Sequence, residues 1–145
     1  MKTNSCISLI LSSIIASAGW TSPLQSSHQV SPSLLSAIRS VESGGDDNAV
    51  GDGGKAIGPY QIWKIYWKDA VEFDPSIGGK YEDCFNREYA EKIVDAYMRR
   101  YATKRRLGHD PTWEDMARIH NGGPNGYRKE STKKYWAKVK RFLNG

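Results

Sequence analysis

Glu42 stands at the end of an apolar stretch with helical spacing, and Asp46, Asp47 and Asp52 follow it inside a Gly-rich run. Leu34, Leu35, Ile38 and Val41 recur at helical intervals, and Glu42 falls on the same stripe, seven residues after Leu35 and four after Ile38. It also lies in the last turn, just before Gly44 and Gly45. Burial and the partial negative charge of a helix C-terminus both disfavour an ionised carboxylate, so a carboxylic acid here is expected to keep its proton. That is what a general acid requires. An aspartate flanked by glycines, as Asp52 is by Gly51 and Gly53, is expected to be accessible and ionised. Two carboxyl groups held in such different surroundings are the pairing that cleaves glycosidic bonds. Asp46 and Asp47 remain open as the second carboxylate. The plainer readings are a solvent-facing Glu42, or one paired with Arg39, and Asp–Gly pairs that only make turns. The stretch "DDNAVGDGG" has the acid and glycine content of a calcium loop, but not the alternating ligand register or closing Glu of an EF-hand. No metal or other cofactor is expected.

The elements that must carry these residues are mostly helices. Ser31 and Pro32 can open the first one as cap and first residue. A second, short helix is predicted from about Ile62 to Val71. The loop "FDPSIGGKYED" leads into a long one from about Asn86 to Ala102, with Tyr89, Ile93, Val94, Tyr97 and Tyr101 on one face. Thr112 and Asp115 pattern as a capping box for "WEDMARIH", which Gly122 and Gly123 close. The last helix starts at Ser131 and turns Tyr135, Trp136, Val139 and Leu143 inward, with Lys133, Lys134, Lys138, Lys140 and Arg141 outward. Residues 44 to 58 are too Gly-rich for a helix and suit a small β-hairpin or irregular loop beside the first one. The fold class is α+β, predominantly α-helical.

Residues 1–18 read as an export signal. Lys2 precedes an apolar run too short to span a bilayer, and Ala16-Ser17-Ala18 fits a small-residue cleavage pattern. Residues 19–30 are Ser-rich and aperiodic, as a tether would be, and 31–145 form the catalytic domain. The expected localisation is therefore periplasmic or secreted. Removal of the signal takes Cys6 with it and leaves Cys84 alone, so no internal disulfide can form and the thiol is expected to be structural. The net charge of +5, concentrated after Arg99, favours an acidic partner such as anionic cell-wall polymer. A nucleic-acid partner has the charge in its favour but no motif.

In order and with similar gaps, "VESGG", "GPYQI", "YWKDA", "YMRRYA", "ARIHNGGPNG" and "YWAKVK" resemble the invertebrate-type (destabilase-like) lysozymes over residues 34–142. The blocks "ESGG", "GPYQI" and "HNGGP" are also similar to those of the lytic transglycosylases, which share the lysozyme-like fold and cut the same polymer. The resemblance implies a lysozyme-like fold with the hairpin next to the catalytic helix, Glu42 as general acid, and Asp52 as nucleophile or ion-pair stabiliser. The gap from Asp52 to "GPYQI" is one residue shorter than in the family, which keeps Asp47 as the weaker candidate. Gln61, His120 and Asn121 fall on motif positions that line the sugar cleft, with Tyr60 and Tyr97 beside them. His120 is assigned to binding or structure, Asn121 to an N-acetyl group, and Arg118 to an ion pair in the cleft wall.

The implied activity is that of a muramidase, hydrolysing the β-1,4 bond between N-acetylmuramic acid and N-acetylglucosamine in peptidoglycan. The alternatives are a lytic transglycosylase forming anhydromuramyl products and a non-catalytic wall-binding protein. A proteinaceous lysozyme inhibitor is an implied partner, and a monomer is expected. Two departures from the family stand out. Its invertebrate members are rich in disulfides, whereas bacterial versions of the fold manage without them, so the resemblance points to a disulfide-poor, bacterial member. Isopeptidase activity in some members is attributed to a Ser and a Lys around "GPYQI". Here Lys55 or Ala56 takes the Ser position and Trp63 follows "QI", so that activity is not expected.

Overall fold

A computed structural model describes residues 30–145. The export signal expected over 1–18 and all of the 19–30 tether except Val30 lie outside the described residues. Val30 itself belongs to the domain: it is buried, and its N–H donates to Asp95 Oδ1 at 2.9 Å.

The first helix, α1 (Pro32–Ser43), buries Leu34, Leu35 and Ile38 of the predicted stripe together with Ala37, while Val41 and Glu42 at its end are half-buried. Gly44 ends it in the left-handed region at φ 66°, where its N–H reaches the Ser40 carbonyl. The Ser43 hydroxyl then donates to the Pro59 carbonyl at 3.0 Å. That bond ties the end of α1 to the Gly-rich run that crosses beside it.

The run folds as an antiparallel sheet of three short strands, β1 (Val50–Gly51), β2 (Ala56–Ile57) and β3 (Ile62–Trp63), in the order β1-β2-β3. Val50 pairs with Ile57, and Ala56 with Trp63. Gly58 turns between β2 and β3 at φ 75°, and a side chain there would run into the Cys84 carbonyl. The hairpin expected up to residue 58 thus gains a third strand, and α2 (Lys64–Phe73) starts two residues later than its spacing predicts. Buried Ile62, Tyr66 and Ala70 lie four residues apart, which reads as one helix. The alternation of buried Ile62 with exposed Trp63 is the strand signal, and two residues are too few to reveal it.

The long helix α3 (Arg87–Tyr101) is capped by the Asn86 side chain, which accepts from the Tyr89 N–H. A single turn, α4 (Lys104–Leu107), follows; its sequence, Lys-Arg-Arg-Leu, has no apolar period to announce it. The predicted capping box opens α5 (Trp113–Gly122), with Thr112 and Asp115 bonded reciprocally. A short 3-10 turn at Glu130–Thr132 delays the last helix to α6 (Lys133–Asn144). No helix among the described residues is long and apolar enough to cross a membrane.

In the core, α2 packs on α3, α1 on α6, and α5 reaches α1, α3 and α6. Leu34, Ile38, Ile93, Val94, Ile119 and Val139 are fully buried there. Each such side chain contributes about 1.5–3 kcal/mol of apolar burial. Cys84 is buried and pairs with no other cysteine among the described residues.

Candidate active site

Glu42, at the end of α1, and Asp52, which opens the turn between β1 and β2, line the same cleft of about 360 Å³. That volume is within the range of clefts that hold small ligands. Gln61 from the turn before β3, Trp63 from β3 and Ile65 from the start of α2 complete one part of the wall. Tyr66, Asp69 and Tyr97 come from α2 and α3, and His120, Asn121, Gly123 and Pro124 from the end of α5 and the loop beyond.

Glu42 is held on one oxygen. The Tyr135 hydroxyl of α6 donates to Oε1 at 2.7 Å, and His120 Nε2 lies 3.5 Å from the same atom. No described residue hydrogen-bonds Oε2, which leaves that oxygen for a ligand. The alternative pairing of Glu42 with Arg39 does not form. Burial, followed by the adjacent Glu42 carboxylate, pushes the Tyr135 phenol well above its ordinary range, so Tyr135 stays a donor.

His120 is buried behind Glu42. Its Nε2 lies 3.1 Å from the Tyr60 carbonyl, which can only accept, so Nε2 carries the hydrogen. Nδ1 meets the Tyr66 hydroxyl at 3.2 Å, and in the neutral ring it accepts from that hydroxyl. Tyr66 in turn stacks on Tyr97 with ring centroids 3.5 Å apart and an interplanar angle of 11°. Burial is the main cause that raises both phenols above the usual tyrosine range. Both ring nitrogens of His120 are thus engaged by protein groups, and Tyr97 is the buried backing of the cleft wall.

Asp52 is exposed, sits at φ 50°, and accepts from the Trp63 indole N–H through Oδ2 at 3.1 Å. Aspartate tolerates the left-handed region better than most residues. Asp47, the weaker candidate for the second carboxylate, lies outside the cleft, with Arg87 3.4 Å away.

Of the binding residues expected from the sequence, the structure places Tyr60 away from the cleft and Gln61 on its wall. Tyr60 does not line the cleft: its side chain is fully buried and its hydroxyl donates to Glu91 at 2.8 Å, so only its carbonyl serves the site. Gln61 does line the cleft, but its amide nitrogen is spent on the Ala49 and Gly58 carbonyls at 3.2 and 3.0 Å. It pins the sheet and keeps only its oxygen to offer. A Cβ at Gly51 would press on that oxygen, so Gln61 would have to shift to admit a side chain there.

Asn121 is exposed at the cleft edge, where its amide is available. Arg118 does not line the cleft; it pairs with Glu114 on its own helix at 2.9 Å and also bonds Thr132 and the Lys129 carbonyl, which locks α5 to the segment before α6. Sequence reasoning missed Tyr66, Trp63 and Tyr135 as site residues. Tyr66 and Tyr135 read as ordinary core positions on their helices, and nothing local marks a contact made across the whole fold.

A family model described as Destabilase matches residues 31–142. Lysozyme 1 of Crassostrea virginica is 38% identical over 122 residues, covering 79% of this chain and 60% of its own length. The chain spans about three fifths of the length of the first curated relatives it matches. Among solved structures, the Tapes japonica lysozyme superposes with a TM-score of 0.67 at 33% identity, covering 78% of this chain and 90% of the other. The Meretrix lusoria lysozyme, solved in complex with Aeromonas hydrophila PliI, gives 0.65 at 34%, covering 77% and 89%. These relatives are bivalve proteins, so the bacterial source expected from the missing disulfides gains no support from them.

Proposed function

The chain belongs to the destabilase, or invertebrate-type lysozyme, family, and on that premise we propose that it is a muramidase cleaving the β-1,4 bond between N-acetylmuramic acid and N-acetylglucosamine in peptidoglycan. The observation that carries this reading is the meeting of Glu42 and Asp52 in one cleft from two separate elements.

In the proposed reaction Glu42 gives its proton to the glycosidic oxygen as the bond from that oxygen to C1 breaks. Oε2 is the oxygen placed to do so, because Oε1 already accepts from Tyr135. The Asp52 carboxylate balances the positive charge that develops on the sugar ring, or bonds to C1. Water then adds to C1, breaking the bond to Asp52 where one has formed, and gives a proton to Glu42, so the catalyst ends as it began. Asn121 offers its amide to an N-acetyl group at the cleft edge. A lytic transglycosylase needs only the acid/base Glu, and the second carboxylate in the cleft favours hydrolysis over that alternative.

Cell-wall polymer is the proposed partner, held in part by the exposed cations of α6. An inhibitor protein of the kind seen on the Meretrix lusoria enzyme is a second. Export is proposed on the signal-like residues 1–18.

The test is digestion of purified peptidoglycan by the parent and by Glu42→Gln, with products resolved by mass. Reducing-end muropeptides from the parent alone are expected, with activity in the variant down roughly 10²–10⁴-fold. Anhydro products, lighter by one water, would move the chain to the transglycosylases. Binding without cleavage by either protein would leave a wall-binding module.

A further inference from the structure

Trp63 is a large apolar side chain left 42% exposed, and Ile65 beside it is 64% exposed. Both line the cleft that holds Glu42 and Asp52. Period-two alternation in β3 turns Trp63 outward because Ile62 turns into the core. The indole is nonetheless fixed. Its Nε1–H donates to Asp52 Oδ2 at 3.1 Å, which ties the end of β3 to the turn between β1 and β2. The Lys55 ammonium lies over the ring, 5.9 Å from its centroid, close enough for a cation–π contact.

Asp52 needs such a tie. It sits in a short turn flanked by Gly51, Gly53 and Gly54, with its own backbone left-handed, so little else restrains the carboxylate. A donor on Oδ2 leaves Oδ1 without a hydrogen bond among the described residues, on a side chain that lines the cleft. A pyranose ring presents a flat patch of C–H bonds on one face, and an exposed indole in a cleft wall is the surface on which such a patch packs.

We infer that Trp63 is both a positioning residue for Asp52, through its N–H, and the stacking platform for the sugar ring that Asp52 serves, through its face. The inference rests on the muramidase reading above. The two roles belong to different parts of one side chain and are separable. Trp63→Phe keeps a flat ring and removes the N–H, whereas Trp63→Ala removes both.

The experiment measures kcat and KM on soluble peptidoglycan fragments for the full chain and the two variants. It adds calorimetric titration with the trimer of N-acetylglucosamine and a melting curve for each protein. Because Trp63 is exposed, both variants should melt close to the parent. Trp63→Phe is expected to lose roughly tenfold in kcat with KM within about twofold of the parent. Trp63→Ala is expected to share that loss and, relative to Trp63→Phe, to raise KM and the trimer Kd roughly fivefold. A Trp63→Phe protein with the parent's kcat overturns the positioning role. A Trp63→Ala protein with the KM and Kd of Trp63→Phe overturns the platform. A parent that cleaves no peptidoglycan overturns the muramidase reading and the positioning role with it, while the trimer titration still decides the platform.

Discussion

The Tyr135 hydroxyl and Glu42 Oε1 lie 2.7 Å apart across 93 residues of sequence, so the last helix of the fold holds the carboxyl that ends the first. Tyr135 does not line the cleft, and it acts on a ligand only through Glu42. Tyr135→Phe keeps the packed ring and removes the donor. A hydrogen bond is worth about 0.5–1.5 kcal/mol to the neutral acid and about 1.5–3 kcal/mol to the carboxylate that forms as Glu42 gives up its proton, so kcat is expected to fall roughly tenfold while KM stays within about twofold of the parent. Equal falls in the folded fraction and in kcat would show that Tyr135 is only a packing residue; far-UV dichroism beside the kinetics separates the two.

The two candidate partners of Glu42 occupy different places, and that difference is measurable. Asp52 lines the cleft, whereas Asp47 faces Arg87 across an exposed pair at 3.4 Å. Exposed pairs contribute little, so Asp47→Asn is expected to keep activity within about twofold and stability within about 1 kcal/mol. Asp52→Asn removes the charge next to the reacting carbon and is expected to lower kcat by about 10²-fold or more. Equal activities in the two variants would return the role to an open question between them.

Tyr60 offers a complementary test, because the family pattern puts it beside the cleft and the structure puts its hydroxyl on Glu91. Removing that hydroxyl in Tyr60→Phe should leave KM unchanged and cost about 1 kcal/mol of stability, the value of one part-buried hydrogen bond. A KM raised severalfold, with stability intact, would put the Tyr60 phenol back in the substrate's path.

Much of this arrangement could be read from local pattern. The stripe of Leu34, Leu35 and Ile38 carries Glu42 to the end of a helix, Gly44 stops it, and Thr112 and Asp115 announce α5, because each signal lies within one or two turns of chain. Where β3 replaced the start of α2, two periodicities competed over too few residues to decide. The second layer of the site was not legible at all. Tyr135, Tyr66 and Trp63 meet Glu42, His120 and Asp52 across 93, 54 and 11 residues, and a contact of that kind follows from the packing of elements, not from any one of them. Tyr60 shows the same limit from the other side. Its place in "GPYQI" says that the segment borders the cleft, but the turn between β2 and β3 decides which group faces His120, and there the backbone carbonyl does.

Alkaline stability follows from the buried hydroxyl and thiol groups. Burial, reinforced by Asp83 and Glu82, pushes the Cys84 thiol from 9.0 up to about 12, and burial likewise raises Tyr60, Tyr66, Tyr97 and Tyr135. A group that holds its proton more tightly in the folded chain stabilises it fully below the unfolded pKa. That contribution is lost as pH rises toward the folded value, because the unfolded chain ionises first. Up to about pH 9 the thiol leads, because its unfolded pKa is the lowest of the set; nearer pH 10 the raised phenols, ionising together in the unfolded chain, add to it and overtake it. One such group tilts stability by up to about 1.4 kcal/mol per pH unit. Urea unfolding of the parent is therefore expected to weaken across this window, and Cys84→Ala to weaken less steeply even if its stability at pH 7 is lower. Parallel slopes in the two proteins would mean that Cys84 ionises as readily folded as unfolded. The same burial predicts that the native thiol resists a water-soluble disulfide reagent at pH 8 and reacts at once in denaturant.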